Sequence, residues 1–183
     1  MWWIIVLVVV ILLILWFISA YNGLVRLRTM CEEAYSTMDI YMKKRYDLIP
    51  NLVNTVKGYT KHESETLENV VKARSLAMGA ATPDDRMKAE GELSQALGRL
   101  LSITEAYPDL KANDSFLSLQ GDLRMMESEI ANSRKYYNGC VKKYNIKTQS
   151  IPTNIVASIG GFMPKSLFEI TNTIERENVK VEF

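Results

Sequence analysis

Residues 1–20, MWWIIVLVVVILLILWFISA, carry no charged side chain. Twenty helical residues at about 1.5 Å each reach about 30 Å, the thickness of a bilayer's hydrocarbon core. Trp2 and Trp3 at one end and Tyr21 at the other suit the two headgroup layers. The pattern predicts a transmembrane anchor over 1–21. A cleaved signal peptide would carry Lys or Arg ahead of a shorter apolar core, and nothing basic precedes this one.

Beyond the anchor the apolar positions recur every three or four residues, the period of one helix face. The first such stripe runs Leu24, Leu27, Cys31, Tyr35, Met38, Met42, Tyr46, Ile49, Val53 and Val56. It crosses Pro50 in phase, so the proline is expected to kink the helix without ending it. Gly58 is expected as a left-handed cap, and Thr60 with Glu63 as a capping box for the next helix. That second helix runs to about Met78 and turns Leu67, Val70, Val71 and Ala77 inward. After a turn at 79–85, with Thr82 or Asp84 as the cap, a third helix over about 85–106 carries Met87, Leu93, Leu97, Leu100 and Leu101. Tyr107–Asn113 breaks it. A fourth, from Asp114 or Ser115, presents a coiled-coil-like seam of Phe116, Leu119, Leu123, Met126, Ile130, Ser133, Tyr137, Cys140 and Tyr144.

The fold class that follows is all-α: an N-terminal transmembrane helix, then an antiparallel up-and-down bundle of four helices, the first kinked at Pro50. Helix lengths of about 54, 27, 33 and 48 Å nearly return the chain to its start. A three-helix, spectrin-like arrangement with one long first helix is the alternative, and it would force oligomerisation. The domains are then 1–21, the anchor; 22–147, the bundle; and 148–183, an irregular tail whose apolar run Ile155–Met163 has no sustained period.

Charge adds orientation. Arg26, Arg28, Lys43, Lys44 and Arg45 follow the span and only the amino terminus precedes it, which places the bundle in the cytoplasm and the N-terminus outside. The net charge of +1 offers no global field for nucleic acid. In a cytoplasmic domain Cys31 and Cys140 are expected as reduced core residues.

Candidate chemistry is sparse. His62 is the sole histidine, and His62-Glu63 lacks a second histidine four residues on, where Thr66 stands, so neither a metalloprotease motif nor a metal set is expected. Gly160-Gly161 follows no strand and makes no phosphate loop. No catalytic, cofactor-binding or metal residue is assigned, and no cofactor. Arg45 and Asp47, flanking Pro50, are expected to make hydrogen bonds that fix the bend, and Asn138 and Asn145 to bond across a helix interface.

Several segments resemble the LemA family of bacterial membrane proteins. They are Tyr21-Asn-Gly-Leu-Val25, Arg45-Tyr-Asp-Leu-Ile-Pro-Asn-Leu-Val53, Val56-Lys-Gly-Tyr-Thr-Lys-His-Glu63, Glu105-Ala-Tyr-Pro-Asp-Leu-Lys-Ala-Asn113, Ser133-Arg-Lys-Tyr-Tyr-Asn138 and Tyr144-Asn145. The resemblance implies a single span in the bacterial inner membrane, a cytoplasmic helical bundle and no established enzymatic activity. It also implies links to envelope stress and membrane protein quality control, with a membrane metalloprotease among the partners. Anchor, long seams and sparse chemistry together point to a non-enzymatic scaffold or adaptor that touches lipid through residues 1–21 and forms homo-oligomers. A sensor bundle for a small apolar ligand or lipid, and an enzyme with an unrecognised site, are the competing readings.

Overall fold

In the computed structural model, which describes residues 1–60 and 62–169, helix α1 runs unbroken from Trp2 to Lys57. The apolar run and the first amphipathic stripe are thus one helix of 56 residues. Among the described residues α1 is the one helix long and apolar enough to cross a membrane, and only 6% of its apolar window is buried. A soluble core helix would be buried over most of its length. Pro50 lies inside α1, with Ile49 before it and Val56 after it fully buried, while Val53, expected in the stripe, is half-buried and Leu52 takes its inward place.

Five further helices follow: α2 (Ser64–Gly79), α3 (Pro83–Thr104), the single turn α4 (Pro108–Lys111), α5 (Asp114–Gln149) and α6 (Thr153–Ile159). The chain breaks between Lys57 and Ser64, so the four-helix reading describes it and the single-rod alternative does not. The devices at that break differ from those expected. Gly58 does not adopt positive φ; among the described residues only Gly161 does. No capping box forms either. Glu63 makes no side-chain cap, and the Thr60 hydroxyl donates back to the Val56 carbonyl. At two later starts a side chain does cap the helix, Thr82 as expected and Asn113 in addition. The Thr82 hydroxyl accepts from the Asp85 amide at 3.1 Å ahead of Pro83, and the Asn113 side-chain oxygen caps α5 through the Phe116 amide at 2.9 Å.

The described residues group into two compact units, and α1 and α5 contribute to both. One unit holds Met1–Met38 and Asn132–Leu167. Its core is built from Leu24, Cys31 and Ala34 of α1, Tyr137, Cys140, Val141 and Tyr144 of α5, and Val156, Ala157 and Phe162 beyond. Tyr35 meets Tyr137 edge-on. Both cysteines are free and buried.

Within 148–183, expected to be irregular, the structure places helix α6 and then a stretch without regular structure up to Glu169. Helix α6 ends in a Schellman motif: the Phe162 amide donates to the Ala157 carbonyl at 2.9 Å, with Gly161 at φ +67°. The glycine pair is therefore a helix stop. The stretch beyond it is clasped by Asn145, whose amide donates to the Lys165 carbonyl at 2.8 Å and whose oxygen accepts the Lys165 amide at 2.9 Å. Tyr137 adds a bond to the Ser166 carbonyl. Asn145 thus binds the backbone of the tail, a different partner from the neighbouring helix expected. The rest of the expected tail, 170–183, lies outside the described residues.

The second unit holds Asp39–Ala131 together with Phe168 and Glu169. Here α2 packs on α3. Leu67, Val70, Ala73 and Ala77 of α2 turn inward, while Val71, expected with them, is 45% exposed. Leu93, Leu97 and Leu100 supply the apolar face of α3, with Glu90 buried in the same row.

Candidate functional site

The most unusual group in the second unit is a buried ionic cluster. The α1 stripe passes through Met42, Tyr46 and Ile49, and Arg45 falls on the same side of the helix with 1% exposure. The α3 stripe begins with Glu90 one turn before Leu93, at 2% exposure. Two opposite charges at such depth demand each other, because an unpaired buried charge is prohibitively costly. Arg45 Nη2 donates to Glu90 Oε2, and the Tyr46 hydroxyl donates to Glu90 Oε1, so both carboxylate oxygens are occupied. Arg45 Nη1 donates to Ser94 Oγ at 3.0 Å and to Glu127 of α5, whose side chain is 44% exposed. Arg45 Nε finds no acceptor, so the network is not fully satisfied.

Helix α2 joins through the backbone. Proline at position 50 has no amide hydrogen to give the carbonyl four residues earlier, that of Tyr46. Arg74 Nε of α2 donates to the Tyr46 carbonyl at 2.7 Å. The acceptor that Pro50 leaves open is thus taken by a charged side chain from the next helix. Four helices, α1, α2, α3 and α5, converge on Arg45-Tyr46. The guanidinium suits the task because its planar fork can give parallel bonds to several acceptors, which an ammonium cannot.

Burial pushes the Glu90 carboxyl above its ordinary range, against the pull of the Arg45 cation and the Tyr46 hydroxyl. Burial, and next the Glu90 charge, push the Tyr46 phenol up. A group whose folded pKa is raised contributes stability that is fully present below its unfolded pKa and is lost as pH rises towards the folded value. For Tyr46 that loss begins near pH 10, about where a free tyrosine ionises. Tyr46→Phe is expected to lower stability at neutral pH but to flatten its decline above about pH 10 by up to one proton, about 1.4 kcal/mol per pH unit. Denaturant melts of both chains in mild detergent, followed by circular dichroism from pH 8 to 11, check this; parallel alkaline slopes would count against it.

The residues singled out by sequence fare differently. Arg45 is central, but its bonds reach across helices and do not fix a bend locally. Asp47 is exposed and lies outside the cluster. His62 is exposed in the turn before α2. Glu63 accepts from the Tyr107 hydroxyl at 3.1 Å, and the Asn113 amide donates to the Tyr59 hydroxyl at 3.0 Å. The segments Val56–Glu63 and Glu105–Asn113 therefore tie two loops to each other. Among the described residues no group of three or more His, Cys, Asp or Glu side chains is placed to hold a metal ion. Glu90 was missed, although it lies in phase with Leu93, Leu97 and Leu100.

An open groove of about 520 Å³ lies between α2 and α3, with Glu65, Lys72, Glu92 and Arg99 on its walls. That mixed charge suits water or a polar partner better than a small apolar ligand.

The family model described as "LemA family" matches residues 34–183. Curated relatives include Protein LemA of Metamycoplasma hominis, 26% identical over 164 residues, which are 89% of this chain and 74% of that protein. Magnetosome protein MamQ 2 of Paramagnetospirillum magneticum is 26% identical over 176 residues, 81% of this chain and 64% of its own length. Magnetosome protein MamQ of Magnetospirillum gryphiswaldense is 24% identical over 168 residues, 78% of this chain and 62% of its own. The chain thus spans less than two thirds of the MamQ proteins.

Proposed function

The chain belongs to the LemA family, and from that premise we propose that it is a non-enzymatic scaffold or adaptor anchored in the bacterial cell membrane by the start of α1. The observation that carries this reading is the unbroken course of α1 from an exposed apolar run into a helical unit. Such a helix hands a lipid anchor directly to a surface for protein contacts. Arg26 and Arg28, just beyond the span, orient the chain with its N-terminus outside and its helical units in the cytoplasm. The deepest polar residues support a structural role. Arg45 and Glu90 are spent on each other and their neighbours, and are closed to a substrate.

Scaffolding requires surface for association. Ile40, Leu76, Met125 and Tyr136 are large apolar side chains that are all at least half exposed. Self-assembly through such positions, and contact with membrane partners in envelope stress or protein quality control, are parts of the same proposal. The test is the mass of the full chain in lipid discs, paired with crosslinking in cells. Homogeneous complexes larger than one chain, or a reproducible crosslinked neighbour, are expected. A solitary chain in discs that crosslinks to nothing in cells would sink the scaffold.

A further inference from the structure

Helix α6 carries large apolar residues on its outward as well as its inward side. Thr153, Val156 and Ala157 face inward and are buried, while Ile155 and Ile159 are 58% and 70% exposed. Exposed apolar residues flank the helix too, Ile151 before it at 85% and Met163 after it at 77% exposure. Ile155 and Ile159 share one face of α6, and the four exposed apolar residues fall within the short segment Ile151–Met163. Isolated exposed aliphatics are ordinary, but a local concentration of them marks a surface that something covers.

The place of α6 indicates the occupant. The Phe162 ring, just past α6, meets the Tyr21 ring edge-on at 5.3 Å between centroids. A Cβ on Gly160 would lie 3.0 Å from that same tyrosine ring, so the end of α6 is pressed against it. The Arg28 guanidinium sits 5.3 Å from the centre of the Phe162 ring. Tyr21 directly follows the uncharged run 1–20, and Ala20 is the first buried residue of α1. The end of α6 therefore lies where α1 would leave hydrocarbon and enter the headgroup layer. Arg26 is exposed at that level, and Lys147, whose carbonyl accepts the Thr153 hydroxyl, is exposed beside the start of α6. Cations beside exposed aliphatics match the phosphates and upper acyl chains of a lipid surface.

We propose that the segment Ile151–Met163 is an interfacial foot, lying in the headgroup–acyl boundary of the membrane that α1 crosses. It rests on the anchoring reading above. The foot gives the membrane a second, shallow hold on the chain beside the span, through Ile151, Ile155, Ile159 and Met163.

An environment-sensitive NBD label on the full chain in lipid vesicles tests it. The native Cys31 and Cys140 are at most 5% exposed, so Ile155→Cys and Ile159→Cys each give one reactive thiol. Ile11→Cys reports on the span, and the exposed Ser36→Cys, sixteen residues past Ala20 or about 24 Å along the helix, reports on water. Labels at 155 and 159 are expected to be quenched about twofold more by nitroxide-labelled lipid near the glycerol than by nitroxide deep in the acyl chain. Aqueous iodide should quench the label at 36 and spare those two. If the label at 11 is quenched by deep nitroxide while 155 and 159 behave like 36, the foot is overturned and the anchor stands. If 155 and 159 are shielded from both lipid nitroxide and iodide, a protein surface covers them, and the proposal is again overturned. A label at 11 that no lipid nitroxide reaches removes the anchor itself.

Discussion

Arg45→Ala is expected to destabilise the chain by about 3–5 kcal/mol, because it leaves Glu90 buried and without its cation. Glu127, at 44% exposure, can recover water and adds little to that loss. Glu90→Ala should cost a similar amount by stranding the guanidinium. Arg45→Lys should restore only part of the stability, since one ammonium cannot serve Glu90, Ser94 and Glu127 in the same plane. The informative comparison is Arg45→Met with Glu90→Met. Apolar replacement of both partners removes two desolvated charges at once, so the double variant should lose less than either truncation. Chemical denaturation of the full chain in mild detergent reads all four. An Arg45→Ala loss below about 1 kcal/mol would mean that the pair is solvated and that the cluster does not hold the helices together.

The second large effect links Pro50 to Arg74. Arg74→Ala is expected to cost about 1.5–3 kcal/mol, the range for a hydrogen bond from a charged donor. In a Pro50→Ala background the amide of residue 50 becomes a donor to the Tyr46 carbonyl, and Arg74 has a competitor. The cost of Arg74→Ala should then fall by about 1 kcal/mol or more, a coupling that a double-mutant cycle measures directly. Pro50→Ala alone combines a gained helix bond with a displaced Arg74. Its net change is expected to be smaller than the 3 kcal/mol or so by which a proline disfavours an ordinary helix interior. Additive single and double variants would show that the two residues act independently.

The proline illustrates what local sequence can reveal. The stripe from Leu24 to Val56 shows that the helix survives position 50, because a phase carried across a proline has no purpose in a turn. Which group replaces the missing amide is not visible there. Arg74 lies 28 residues on in the next helix, and no period connects the two. The helix start at Thr82 is legible because a cap and its amide lie three residues apart. The expected box at Thr60 and Glu63 has the same spacing, yet both side chains take other partners; Glu63 turns to Tyr107, 44 residues away.

Glu90 was legible in principle. It continues the row of Leu93, Leu97 and Leu100, and a charge in phase with an apolar stripe calls for a buried counter-charge. Arg45, in phase with Met38, Met42 and Ile49, poses the complementary demand. Each looks like a solvated charge until the two stripes are laid against each other. Asn145 fails for another reason. Its partner is the backbone of Lys165, and a backbone leaves no signature in composition.

The unbroken run of α1 also fixes an angle. Each helical residue advances the azimuth by about 100°, so the exposed apolar side chains of residues 2–16 and the buried row Ala20, Leu24, Cys31 are held at fixed angles to one another. With no swivel between them, a turn of the apolar stretch about its axis is transmitted to Leu24 and Cys31 as a shaft transmits torque.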